Sequence, residues 1–128
     1  MALNEDQRLD LVVAVLATYS YSLENAWALR KKLKEVGLVD PKNVVGKDEG
    51  EVGNLMKKAG YDRGGITYII APRLISLMEA VKAGELDLLA KQIASKNEKA
   101  FLECLSKVKG FGPKSCAVAW ELMKGSKK

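Results

Sequence analysis

The sequence predicts an all-α fold, a single helical domain over residues 1–128 built as a bundle of six to eight helices. Three observations carry this expectation. Apolar residues recur at three- and four-residue spacing along nearly the whole chain. Residues that cap or stop helices fall at the ends of those stretches. No segment alternates apolar and polar residues for long enough to make a strand, and no repeat, low-complexity stretch or linker divides the chain.

In chain order, Leu9, Val12, Val13, Leu16 and Ala17 place a first helix over about residues 5–19. Ser22 can cap a second over about 23–36, with Trp27, Leu29 and Leu33 inward and Gly37 as its stop. Asp40-Pro41 carries the signature of a short helix start, ending near Gly46. Asp48 can cap a fourth helix that carries Val52, Leu55 and Met56 and closes at Gly60, although Gly50 and Gly53 weaken it. Tyr61 to Gly65 reads as a turn. A long apolar helix, Ile66 to Val81, follows and ends at Gly84, with Pro72 expected to kink it or break it near residue 71. Glu85 to Ala94 and Asn97 to Val108 give two more amphipathic helices, and a last one follows Pro113.

Composition narrows the chemistry. Apolar residues make up 48% and charged residues 29% of 128, the balance of a globular domain that buries its own core. The longest apolar run, Leu11 to Ala17, is far short of the ~18–20 residues that span a bilayer. It follows an acidic, polar start (Asn4, Glu5, Asp6, Gln7) where a signal peptide would be basic. A cytoplasmic or nucleoid-associated protein is the expectation, and the amino-terminal methionine with the polar, basic end are those expected of a complete chain. The absence of histidine excludes Ser-His-Asp and Cys-His catalysis and His-based zinc sites. Two cysteines, Cys104 and Cys116, are too few for a four-cysteine zinc site or an iron–sulfur cluster, and both read as small buried hydrophobes. No metal and no cofactor is expected. Any catalysis must use Lys, Asp/Glu, Tyr or Ser.

The net charge is +5, and its distribution is uneven. Residues 107–128 hold six lysines (107, 109, 114, 124, 127 and 128) against one acid, Glu121, so the remainder of the chain is neutral. Such an excess is the electrostatic footprint of a polyanion-binding face. Read structurally, Lys124, Lys127 and Lys128 only decorate a frayed end.

The segment from Phe101 to Trp120 reads as a helix, a tight Gly-Phe-Gly turn and a second helix. Gly110 and Gly112 permit positive φ and close approach of the backbone to a bulky anion. Phe111 can plug into the core and fix the turn. Pro113 suits the first turn of the following helix, whose free amides and positive dipole end form an anion site. A phosphodiester fits it, with Lys107, Lys109, Lys114 and Ser115 at hand. A purely structural corner between two helices would use similar glycines.

This pattern resembles the DNA-binding helix-hairpin-helix motif, here at about residues 97–123. The likeness extends over roughly residues 9–123 to the helical-bundle domain of the helix-hairpin-helix DNA glycosylases, the endonuclease III and oxoguanine-glycosylase group. Leu11 to Thr18 resembles the first bundle helix of that family. Met56 to Arg63, followed by an apolar helix, resembles its Gly-aromatic turn, and Val108 to Ser115 resembles its hairpin. The resemblance implies a duplex-DNA-binding protein of base excision repair type, acting on damaged or abasic DNA. It also places Lys114 where bifunctional members carry a lysine nucleophile, two residues after the second hairpin glycine. That amine would attack the sugar C1′, form a Schiff base and allow β-elimination. Partial burial, neighbouring lysines and a helix N-terminus all favour the neutral amine this needs. Phosphate contact alone is the competing role for Lys114.

The sequence departs from the family in three places. No aspartate follows Asp87, so the carboxylate that assists base release is missing, and Glu121 lies about two helical turns from Lys114. The family's DNA-inserting loop after the first helix is here Tyr19-Ser20-Tyr21-Ser22, whose tyrosines either stack on bases or pack in the core. The family's second domain and cluster cysteines are absent. A face built to meet that domain would be apolar, which implies a homodimer or a partner subunit. Beside the lyase expectation therefore stand two others: a non-catalytic DNA-binding module and a helical protein-interaction domain.

Overall fold

The computed structural model describes residues 3–18 and 21–125, and every element among them is helical. The helices are α1 (Glu5–Leu16), α2 (Leu23–Ala28), α3 (Arg30–Glu35), α4 (Glu49–Lys58), α5 (Gly65–Lys82), α6 (Leu89–Ala94), α7 (Glu98–Ser106) and α8 (Pro113–Gly125). A 3₁₀ turn, Pro41–Asn43, lies between α3 and α4. No described helix is long and apolar enough to cross a membrane.

The bundle is organised around α1. Asn4 and Gln7 form a reciprocal capping box at its start, and every residue from Leu9 to Leu16 is buried. The stretch from Leu11 to Leu16 is apolar on all sides and belongs at a centre, and α2, α3, α5 and α8 all pack against the helix. It ends earlier than residue 19, because the Thr18 hydroxyl donates to the Val15 carbonyl at 2.8 Å and takes an acceptor from the end of the ladder. Its start is pinned by Arg8, which donates to the Leu3 and Val39 carbonyls, each at 2.7 Å.

Other boundaries also shift from expectation. The helix expected over 23–36 is two short helices. At Leu29 the backbone tightens, and its amide bonds the Ala26 carbonyl three residues back. Ser22 does cap α2, and Leu33 is fully buried while Trp27 and Leu29 are half-buried. The short helix after Asp40 closes as a single 3₁₀ turn, with the Asp40 carboxylate accepting from the Lys42 amide. Glu85–Leu88 forms i→i+3 turns, so α6 starts only at Leu89.

Asp48 and Glu51 form the capping box of α4. A Cβ at Gly53 would stand 2.3 Å from the Tyr68 ring, so this glycine is what lets α4 and α5 close on each other. Pro72 does not end α5, which is continuous from Gly65 to Lys82. Pro72 and its i−4 neighbour Tyr68, whose carbonyl loses its amide partner, are both half-buried rather than in the core.

The carboxyl-terminal helices pack as a pair. Phe101 of α7 meets Trp120 of α8 edge to face at 5.1 Å, and Leu105, Val108, Phe111, Cys116 and Ala119 fill the seam around them. Each aromatic pair of this kind adds about 0.5–1.5 kcal/mol beyond its burial. The turn between the two helices is thus mounted on a stiff base.

Candidate nucleic-acid interface

Residues 107–112 join α7 to α8. Lys107 caps α7 and is exposed, as are Lys109, Gly112 and Lys114. The Phe111 amide donates to the Val108 carbonyl at 3.1 Å, and the Phe111 ring is 5% exposed, seated in the core as expected. The Gly112 carbonyl accepts from the Cys116 amide at 3.0 Å, which makes Gly112 the N-cap of α8. Behind it, the amides of Lys114 and Ser115 fall in the first helical turn, where the helix itself offers no acceptor. Lys107, Lys109 and Lys114 flank this turn along the chain.

The two glycines do different work. Gly110 has φ +99°, a region that side-chain-bearing residues rarely enter. A Cβ on it would also stand 2.8 Å from both Cβ and Cγ of Arg73 on α5. Gly112 is not among the glycines of positive φ, and a Cβ there meets nothing within 4 Å. Both glycines permit positive φ, but only Gly110 uses it: the turn has one left-handed residue, and Gly112 serves as an open cap.

Lys114 is exposed on the first turn of α8, so the partial burial expected around a lysine nucleophile is not supplied. Ser115, expected at the interface, is only 6% exposed, so its hydroxyl is turned away from an outside ligand. Glu121 pairs with Lys124 at 3.2 Å, which offsets one of the terminal positive charges. Lys127 and Lys128 lie outside the described residues, as do Tyr19 and Ser20.

Tyr21 takes the packing role. Its ring meets Tyr61 edge to face at 4.9 Å, and the Arg63 guanidinium lies 5.0 Å from its centroid. Arg63 also donates to the Thr18 carbonyl at 2.9 Å and the Tyr61 hydroxyl at 3.1 Å. Tyr61 is fully buried, and that burial raises its phenol above the ordinary tyrosine range, with the Arg63 hydrogen bond pulling the other way. This cluster follows the C-terminal end of α4, whereas Glu49, at the start of α4, borders a cleft with Lys109 and Gly110. Ten helical residues span about 15 Å. Tyr21 and the α7–α8 turn are therefore not brought together at one point.

Both cysteines are free thiols, Cys116 buried and Cys104 half-buried with its Sγ 3.7 Å from the Glu85 carbonyl. Burial raises both thiols above the usual cysteine range, in keeping with their reading as small hydrophobes.

Two features escape sequence reasoning. One is Arg73, 37 positions before Gly110, which no local pattern links to the turn. The other is a second basic surface on α3, where Arg30, Lys31, Lys32 and Lys34 are all exposed. Its signal, four cations in five residues, stands in the sequence but disappears in a net charge that cancels over residues 1–106. Lys34 is paired with Asp6 at 3.0 Å, and Arg30 lies over the Trp27 ring at 4.7 Å.

The large apolar residues exposed by more than a third, Leu23, Ile69 and Leu88, lie on three separate segments of the described chain. Compared with known proteins, the chain matches no family model, no curated protein and no solved structure. Its likeness to the glycosylase bundle rests on the residues of its own sequence.

Proposed function

We propose that this chain binds duplex DNA through α7, the turn and α8, as a helix-hairpin-helix domain that holds the phosphate backbone without reading bases. The observation that carries the reading is the turn. Phe111 is anchored beneath it, Gly110 sets its left-handed bend, and an open Gly112 precedes a helix start with the exposed Lys107, Lys109 and Lys114 near it in the chain. A phosphate at that position meets unsatisfied amides, the helix dipole and lysine charge together. Fluorescence anisotropy with a short labelled duplex tests it. Two to four phosphate contacts give a log–log salt slope of about −0.9 for each. Lys114→Ala should weaken binding and flatten the slope by about one contact. No binding in low salt, or an affinity that ignores salt, refutes the reading.

One observation favours an added abasic-site lyase activity: Lys114 follows the second hairpin glycine by two residues, the position where the resemblance puts a nucleophile. Its amine would add to C1′ of an abasic sugar, lose water to form the Schiff base, and permit β-elimination of the 3′ phosphate. Borohydride reduction would trap the adduct. Equal trapping by wild type and Lys114→Ala, or none by wild type, removes this activity and leaves the binding reading intact. Base excision is left out of this activity, because Glu121, the acid on α8, is paired with Lys124.

A further inference from the structure

At the far end of α4 from the hairpin, two basic segments come together. Leu29 Cδ2 lies 3.0 Å from the position a Cβ would take on Gly60, so the start of α3 packs beside the residue that follows the C-cap of α4. Arg30, Lys31 and Lys32 on α3, and Lys57 and Lys58 in the last turn of α4, are all exposed. None of these five forms an ion pair among the described residues. The Lys57 ammonium lies 4.9 Å over the Tyr68 ring instead. Arg30 is held in place, because its guanidinium stacks on Trp27 and donates to the Trp27 carbonyl at 3.1 Å, which uses one of its five N–H groups. Lys34 stands apart, since Asp6 at 3.0 Å and Glu5 at 3.9 Å take up its charge. The exposed acids on the same two stretches are Glu35 and Asp62. Positive charge is therefore in excess here, in a half of the chain that is neutral in sum.

We infer that Arg30, Lys31 and Lys32, with Lys57 and Lys58, form a second DNA-binding face that holds phosphates independently of the hairpin. The choice of DNA as its partner rests on the reading above. Glu49, which opens α4, borders a cleft with Lys109 and Gly110, whereas this face lies at the closing end of the same helix. Ten helical residues put about 15 Å between the two ends. None of the large apolar residues exposed by more than a third lies on α3 or α4. A protein partner is usually held by aromatic or aliphatic anchors. A lysine-rich face without them suits a partner that offers regularly spaced charge, as a phosphate backbone does. Lys31 also borders a cleft with Asp6 and Asp10 on its α1 side. Those carboxylates repel an anion, so the phosphates lie on the outer side of α3 and not in that cleft.

The test titrates a labelled duplex at several salt concentrations. Lys31→Gln/Lys32→Gln removes two exposed charges and keeps a good helix former at each position. Its salt slope should flatten by about 1.8, two contacts, and its affinity in low salt should fall about tenfold. Lys82→Gln/Lys91→Gln removes the same charge from exposed positions on α5 and α6, and should stay within about twofold of wild type. Equal losses from the two pairs would mean that net charge alone is felt, and would overturn the second face. The Lys109→Ala/Lys114→Ala variant reports on the hairpin. It should retain weak, salt-dependent binding that disappears when Lys31→Gln/Lys32→Gln is added. Loss of binding by the hairpin variant, with Lys31→Gln/Lys32→Gln indistinguishable from wild type, overturns the second face and spares the hairpin. Polyglutamate that displaces the residual duplex as well as unlabelled duplex does would assign the face to an acidic protein and overturn its assignment to DNA. Absence of binding by wild type overturns both readings.

Discussion

Replacing Gly110 by alanine separates the geometry of this turn from the look of its sequence. At φ +99° an alanine is strained by about 1–2 kcal/mol. Its Cβ would also stand 2.8 Å from Cβ and Cγ of Arg73, well inside the ordinary ~3.5–4.0 Å contact of two carbons. Those Arg73 atoms are close to the α5 backbone, so a rotamer change does not clear them, and overpacking of this kind costs about 1–3 kcal/mol. Together the two effects amount to about 3 kcal/mol. With a urea dependence of about 2 kcal/mol per molar, the unfolding midpoint followed by circular dichroism should fall by about 1.5 M. Gly112→Ala meets no atom and leaves the left-handed region untouched, and it gives up only a modest N-cap preference, about 1 kcal/mol or less. Arg73→Ala combined with Gly110→Ala should recover only part of the loss, because the Arg73 Cβ remains. Equal midpoints for the two single glycine variants would refute the assignment of different roles to Gly110 and Gly112.

Gly112→Asp should leave the fold unchanged or stabilise it by up to about 1 kcal/mol, since aspartate is a good N-cap. The same carboxylate would occupy the proposed phosphate position, so anisotropy should show duplex affinity falling more than about tenfold. Retained affinity would place the DNA elsewhere. Tyr61→Phe removes a buried hydroxyl that donates to the Leu16 carbonyl at 3.2 Å and accepts from Arg63, and should cost about 1–2 kcal/mol in urea unfolding. Because the folded Tyr61 phenol is raised, its contribution to stability is full below the unfolded tyrosine range, near pH ~10, and is lost as pH rises through the folded value. Tyr61→Phe should therefore reduce the alkaline loss of stability. In native protein the Cys116 thiol should react with a disulfide reagent far more slowly than Cys104, and denaturant should abolish the difference, as followed by thiol release.

Local signals were legible where local chemistry decides. Ser22, Asp40 and Asp48 cap the helical turns after them because a side-chain oxygen reaches an amide two or three residues on, wherever the segment sits. Pro113 likewise marks the start of α8, and Phe111 between two glycines announced a buried anchor. The three-residue spacing in α1 identified a helix but understated it. A period shows that one face is apolar, and only the surrounding helices decide that all faces from Leu9 to Leu16 are covered. The continuity of α5 through Pro72 and the split of α2 from α3 at Leu29 turned on the same kind of environment, packing beyond the reach of a local pattern. By itself the sequence determined the helical class, most of the caps and the lysines around one turn. The tertiary structure decided which glycine is obligatory, that Tyr21 is held by Tyr61 and Arg63, and that Arg73 stands under Gly110. Those depend on contacts between residues far apart in the chain, and no local periodicity encodes them.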